Sequence, residues 1–138
     1  MTSTTDHSTP TLDQRRARHA WEAIQRLKQE CSESACKEYA GEAKKLPIRI
    51  MASGLGQALA FVLSKATDKK PNLKRLHKDL TAWILKERCL PGRAPDSLLE
   101  SVVRGDATFL RRATDETLAY LQWLNRFAEA EGLTEGES

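Results

Sequence analysis

Three histidines, three cysteines and one serine next to a glycine-rich step are the residues of this 138-residue chain most readily used for chemistry. A zinc site needs Cys, His or carboxylate ligands at short, fixed spacings. His7 stands in a Thr/Ser-rich N-terminal segment, His19 in the first periodic stretch and His77 beside an apolar helical face, and none has such a neighbour. Cys31 and Cys36, five residues apart, fall on different sides of a helix and read as small core or boundary residues. With Cys89 they form an odd, scattered set that suits a reducing compartment better than a disulfide framework. Ser53 lies outside a G-x-S-x-G context. Gly54-Leu55-Gly56 follows no strand and lacks a third glycine or a downstream Lys-Ser/Thr, so no phosphate loop is expected. No catalytic residue, metal ligand or cofactor is assigned, and the chain is not read as an enzyme.

Charge supplies the better lead. Residues 15–93 carry eighteen Lys and Arg against eight Asp and Glu, whereas residues 94–138 carry four against nine. Such a split predicts one surface suited to a polyanion and another suited to solvent or to a basic protein neighbour. Lys44, Lys45 and Arg49 cluster about Pro47, Lys65, Lys69 and Lys70 follow in the next connector, and Lys74, Arg75 and Lys78 continue the series. Rows of this kind suit phosphate contacts, which need positive charge and confer no base specificity. Aromatic residues are few and fall mostly on apolar stripes, so base stacking is not expected as the main mode. Trp21 and Trp123 sit at the edges of their stripes and are candidate protein-interface anchors.

The elements that must position these residues are helical. Residues 1–10 are expected to form a disordered tail, residues 11–131 a single-domain bundle, and residues 132–138 an acidic C-terminal tail. Ala20, Ile24, Leu27 and Cys31 recur at helical spacing, continued by Ala35, Tyr39 and Ala43, as one long helix or two abutting ones. Pro47 predicts a boundary near Leu46. The stretch IRIMASGLGQALAFVLSKA is apolar on almost every side and predicts a central helix in which Gly54 and Gly56 allow close packing. A helix capped at Asn72 presents Leu73, Leu76, Leu80, Trp83 and Ile84 on one face. The segment from Cys89 to Pro95 is a loop, a short helix starting at Pro95 and Asp96 stops at Gly105, and Asp106 caps a last helix or helix pair. No stretch alternates as a strand does. The expected fold is all-α, a compact bundle of about six helices. No apolar run approaches the roughly 18 residues of a membrane span, which points to a cytoplasmic protein.

EAKKLPIRIMASGLGQALAFVLSKA, residues 42–66, resembles the signature of the small helical subunit of the type III-B CRISPR (Cmr) effector complex. Leu73 through Trp83 resembles that family's next helix, and GDATFLRRATDETLAYLQWLNRFAEA, residues 105–130, its C-terminal region; the likeness runs from about Arg15 to Glu131. The resemblance implies a non-catalytic, RNA-binding subunit in antiviral defence, with backbone and large Cmr subunits, guide RNA and target RNA as partners. It also implies copies stacked head to tail as a filament beside the target-RNA groove. It brings no catalytic residue to carry over. Lys44, Lys45 and Arg49 lie in or beside the matching stretch and are the first candidates for RNA-backbone contacts, with Lys65, Lys69 and Lys70 second. The alternatives are the small subunit of the sister type III-A complex and a stand-alone helical nucleic-acid-binding module, in which the stretch around Lys74, Arg75 and Lys78 would serve as recognition helix.

Overall fold

The computed structural model describes residues 8–134, which leaves His7, most of the expected N-terminal tail and the end of the acidic tail outside the described residues. Six α-helices and no strand are found among them: α1 (Leu12–Glu30), α2 (Glu33–Ser53), α3 (Leu55–Lys65), α4 (Asn72–Thr81), α5 (Leu98–Arg104) and α6 (Ala107–Ala130). A π-helical segment, Ala82–Glu87, prolongs α4.

α1 begins in a reciprocal cap. The Thr11 hydroxyl accepts from the Gln14 amide, while the Gln14 side chain accepts from the Thr11 amide. Its buried stripe of Ala20, Ala23, Ile24 and Leu27 packs most extensively against α6. Cys31 and Ser32 separate α1 from α2, so the first apolar run is two abutting helices, the second capped by Ser32 accepting from the Ala35 amide.

The expected boundary near Leu46 is not present: α2 runs straight through Pro47 to Ser53. A proline inside a helix leaves the carbonyl four residues earlier without its amide donor. Here that carbonyl belongs to Ala43, and Asn125 Nδ2 on α6 donates to it at 3.1 Å. A neighbouring helix thus replaces the missing rung. The break comes instead at Gly54, whose φ of 88° and ψ of 160° lie in a region that only glycine occupies comfortably. Nothing lies within 4 Å of where a Gly54 side chain would project, so Gly54 is not the packing residue it was expected to be; its role is the turn. At Gly56 an added Cβ would stand 3.4 Å from Val102 Cγ1 of α5.

The same break corrects the expectation of one central apolar helix. Because Gly54 resets the helical phase, Leu55, Leu59 and Val62 turn into the core while Ile48 (74% exposed), Met51 (76%) and Phe61 (46%) face outward.

α4 buries Leu73, Leu76 and Leu80, and the wider π turn then places Trp83, Ile84 and Leu85 in succession against the core. Asn72 is the first helical residue and not the cap. α5 is shorter than expected, starting at Leu98 behind Ser97 rather than at Pro95. Its first amides are received by α4: Thr81 Oγ1 accepts from Leu98 N–H at 3.0 Å and His77 Nε2 from Leu99 N–H at 3.1 Å. α6 is one helix, capped by Asp106 accepting from the Phe109 amide at 2.8 Å. Beyond it Gly132 turns with φ 74° and Leu133 folds back, buried, to donate to the Ala128 carbonyl.

One carboxylate joins these pieces. Glu116 of α6 is 5% exposed and accepts from Arg16 of α1 (2.5 and 3.0 Å), Trp83 Nε1 of the π segment (2.9 Å) and Arg88 (3.0 Å). Burial works to raise its pKa, but the hydrogen bonds from Arg16, Trp83 and Arg88 outweigh that and hold it below the ordinary carboxylate range. Trp83 stacks on Tyr120 at 5.6 Å between centroids, and His19 closes the cluster with Nδ1 2.7 Å from the Tyr120 hydroxyl.

Three stability measurements by urea unfolding follow from this architecture. Asn125→Ala should cost about 1–3 kcal/mol in the native sequence. The cost should shrink in a Pro47→Ala background, where an ordinary amide can serve the Ala43 carbonyl; equal costs in both backgrounds would refute the rung replacement. Gly54→Ala should cost about 1–3 kcal/mol, whereas Gly56→Ala should stay within roughly 0.5 kcal/mol of the native protein. Glu116→Gln should cost about 2 kcal/mol at neutral pH. Because the folded-state carboxyl ionises below its unfolded value, this contribution is complete above the ordinary carboxylate range and is lost as pH falls through the lower folded value, so the deficit should narrow in acid.

Candidate nucleic-acid interface

Positive charge counts toward a polyanion surface only where no carboxylate of the same chain has already taken it. Several cations of the basic segment are so taken. Arg16 and Arg88 go to Glu116, Lys28 to Glu131, Arg75 to Glu30 at 2.7 Å and Lys86 to Asp96 at 3.3 Å. Three of these acids, Glu116, Glu131 and Asp96, belong to the acidic segment, so part of the charge asymmetry is consumed inside the fold.

The six nominated lysines and arginines separate into two places. Arg49 of α2 and Lys65 of α3 meet on one carboxylate, Glu42, which is 4% exposed; Lys65 Nζ lies 3.0 Å from it and Arg49 pairs with its other oxygen. Burial tends to raise the Glu42 pKa, but hydrogen bonds from Lys65 and Arg49 lower it below the ordinary range. Both cations also cover the Phe61 ring, Arg49 at 4.3 Å and Lys65 at 5.2 Å from its centroid. Half-buried Lys44 and exposed Lys45 stand on α2 one turn before. Lys69 and Lys70 are elsewhere, exposed in the connector that enters α4.

That connector opens onto a groove between α1 and α4 of about 570 Å³, lined by Arg26 and Glu30 from α1, by Pro71, and by Asn72, Lys74, Arg75, Lys78 and Asp79 from α4, with Ala82 beyond. Among the described residues Arg26, Lys74 and Lys78 have no carboxylate within ion-pair distance, and neither do Lys69 and Lys70. The floor carboxyl, Asp79, is 9% exposed and accepts from Tyr39 Oη at 2.7 Å. Burial pushes its pKa above the ordinary value despite that bond. Sequence spacing shows Lys74 and Lys78 one turn apart but not Arg26, which only the closed bundle brings to the same groove.

The two candidate interface tryptophans converge on one ring. Trp21 of α1 meets Phe127 edge-on at 5.2 Å, and Trp123 of α6 lies 5.5 Å from the same ring, donating from Nε1 to Asp13 at 3.0 Å. Trp21 is 42% exposed. His19 and His77 are spent on Tyr120 and on the α5 amide, and no group of three or more His, Cys, Asp or Glu among the described residues is arranged to hold a metal ion.

The family model described as CRISPR-associated protein (Cas_Cmr5) matches residues 12–131. The CRISPR system Cmr subunit Cmr5 of Thermus thermophilus is 33% identical over 111 residues, covering 80% of this chain and 90% of that protein. The X-ray crystal structure of a CRISPR-associated Cmr5 family protein from the same organism is similar at a TM-score of 0.69 and 33% identity, over 88% of this chain and 97% of that one.

Proposed function

The chain belongs to the CRISPR-associated Cmr5 family, and from that premise we propose that it is the non-catalytic small subunit of a type III-B (Cmr) RNA-guided complex in antiviral defence. It lends a basic surface to the groove occupied by target RNA. Its partners are the backbone and large Cmr subunits, the guide RNA they carry, and further copies of itself stacked as a filament. Family membership separates this reading from a type III-A subunit and from a stand-alone regulator.

The observation that carries the RNA contact is the α1–α4 groove. Arg26, Lys74 and Lys78 line it from α1 and α4, and exposed Lys69 and Lys70 precede Pro71 in the connector, all without a carboxylate partner among the described residues. Cations on successive turns neutralise phosphates whatever the bases, which suits a subunit whose sequence choice is made by the guide. The Trp21–Phe127–Trp123 strip supports a protein contact on the α1–α6 face. No helix among the described residues is long and apolar enough to cross a membrane, and a cytoplasmic location accompanies the reading.

Lys70→Glu, Lys74→Glu and Lys78→Glu together remove exposed charges that hold nothing in the fold, so the thermal midpoint should barely move. RNA binding by the complex assembled with this variant should weaken at least tenfold at low salt. The slope of log affinity against log salt should flatten by about two units, given roughly 0.7 per single-strand phosphate contact. Undiminished affinity with an unchanged slope would overturn the groove assignment.

A further inference from the structure

The turn between α1 and α2 holds two of the free thiols, Cys31 and Cys36. On one unbroken helix they would point to different sides, but the chain leaves α1 at Cys31 in extended backbone (φ −127°, ψ 155°) and restarts behind the Ser32 cap. Cys31 therefore stands immediately before the cap and Cys36 at the fourth residue of α2, the pair of positions whose side chains meet in a hydrophobic staple. The hydrogen bonds agree with that placement. Cys36 Sγ donates to the Leu27 carbonyl at 3.5 Å, which also accepts from the Cys31 amide at 3.0 Å, and lies 3.9 Å from the carbonyl oxygen of Cys31 itself. The Cys36 sulfur is thus seated against the Cys31 backbone, while the Cys31 thiol turns the other way and donates to Asn72 Oδ1 at 3.3 Å.

We infer that Cys31 and Cys36 form a redox-sensitive dithiol, a modification site for small disulfide oxidants of the glutathione class, which close the pair into a disulfide joining the end of α1 to the first turn of α2. Half-buried Cys31 is the entry point. Its thiolate attacks one sulfur of the oxidant, forming a mixed disulfide and expelling one thiolate. Rotation about χ1 then carries that sulfur from Asn72 toward Cys36, whose thiol gives its proton to solvent, attacks the Cys31 sulfur and expels the second thiolate. The chain loses two electrons and two protons, and the oxidant gains them as two thiols. Cys36 is a poor first attacker, because it is 3% exposed and burial, followed by the neighbouring Cys31 thiol, pushes its pKa up. As second attacker it needs no access to solvent, since its target is delivered to it. Only one long thiol hydrogen bond, to Asn72, is given up. Exposed Cys89, whose thiol donates to the Lys86 carbonyl, has no cysteine at the matching helix position and stops at the mixed disulfide. A reversible pair of this kind is the sort of disulfide a reducing compartment tolerates.

The test equilibrates the folded full-length chain with mixtures of reduced and oxidised glutathione, blocks the remaining thiols with iodoacetamide in denaturant, and weighs the tryptic peptide of residues 29–37, which carries both cysteines. Native chain should yield that peptide lighter by two hydrogens and without alkyl groups, and dithiothreitol should reverse the change. Circular dichroism should stay native throughout. Cys36→Ser should stop at the glutathione adduct on Cys31, and Cys31→Ser should leave Cys36 unmodified. The equilibrium constant for closing the disulfide should be at least tenfold larger in the folded chain than in concentrated urea, so the oxidised chain should resist urea better than the reduced one. Three results overturn the inference: thiols that stay free, a glutathione adduct on Cys31 as the final product in native chain, or a disulfide no more favoured in the folded chain than in the unfolded one. Ready modification of Cys36 in Cys31→Ser overturns the order of attack. If Cys36→Ser does not fold, the comparison of folded and unfolded native chain decides alone.

Discussion

The Glu116 carboxylate is the constraint on which the arrangement of the bundle rests. A buried anion is tolerable only when its oxygens are filled by donors, and here those donors come from α1, from the π segment and from the residue just after it. Satisfying one acid therefore fixes how α6 sits against α1 and how far the chain must wind before Arg88. The π turn fits this demand: it brings Trp83 to the carboxylate and still buries Ile84 and Leu85. Glu42 acts in the same way on a smaller scale, drawing α2 and α3 together on either side of Gly54.

Much of the fold is legible as amphipathic periodicity, because one-sided apolar stripes have few ways to hide from water. Leu73, Leu76 and Leu80 lie buried as their spacing requires, and Asp106 caps α6 as its position suggests. Local rules fail where a distant partner changes the local balance. Pro47 reads as a helix boundary only while the Ala43 carbonyl lacks a substitute donor, and that donor is 82 residues away. Gly54 reads as a packing glycine until its positive φ is known. Leu133 reads as part of an acidic tail because a single buried leucine after a glycine leaves no periodic trace.

The functional surface is legible only in gross charge. Counting lysines and arginines does not separate Lys69 and Lys70, which keep their charge, from Arg49 and Lys65, which share Glu42 over separations of 7 and 23 residues. Arg26 is hidden for the complementary reason: it is isolated in sequence and shares a groove with Lys74 and Lys78 only once the bundle has closed. Trp21 and Trp123 are visible as stripe-edge aromatics, yet their common contact, Phe127, reads as ordinary core.

The rung supplied by Asn125 bears on the order in which the protein can be finished during synthesis. A nascent chain that has not yet delivered Asn125 can wind α2 on both sides of Pro47, but the Ala43 carbonyl between them has to make do with solvent. The turns of α2 that carry Ile48 and Met51 therefore gain this brace only after α6 has left the ribosome.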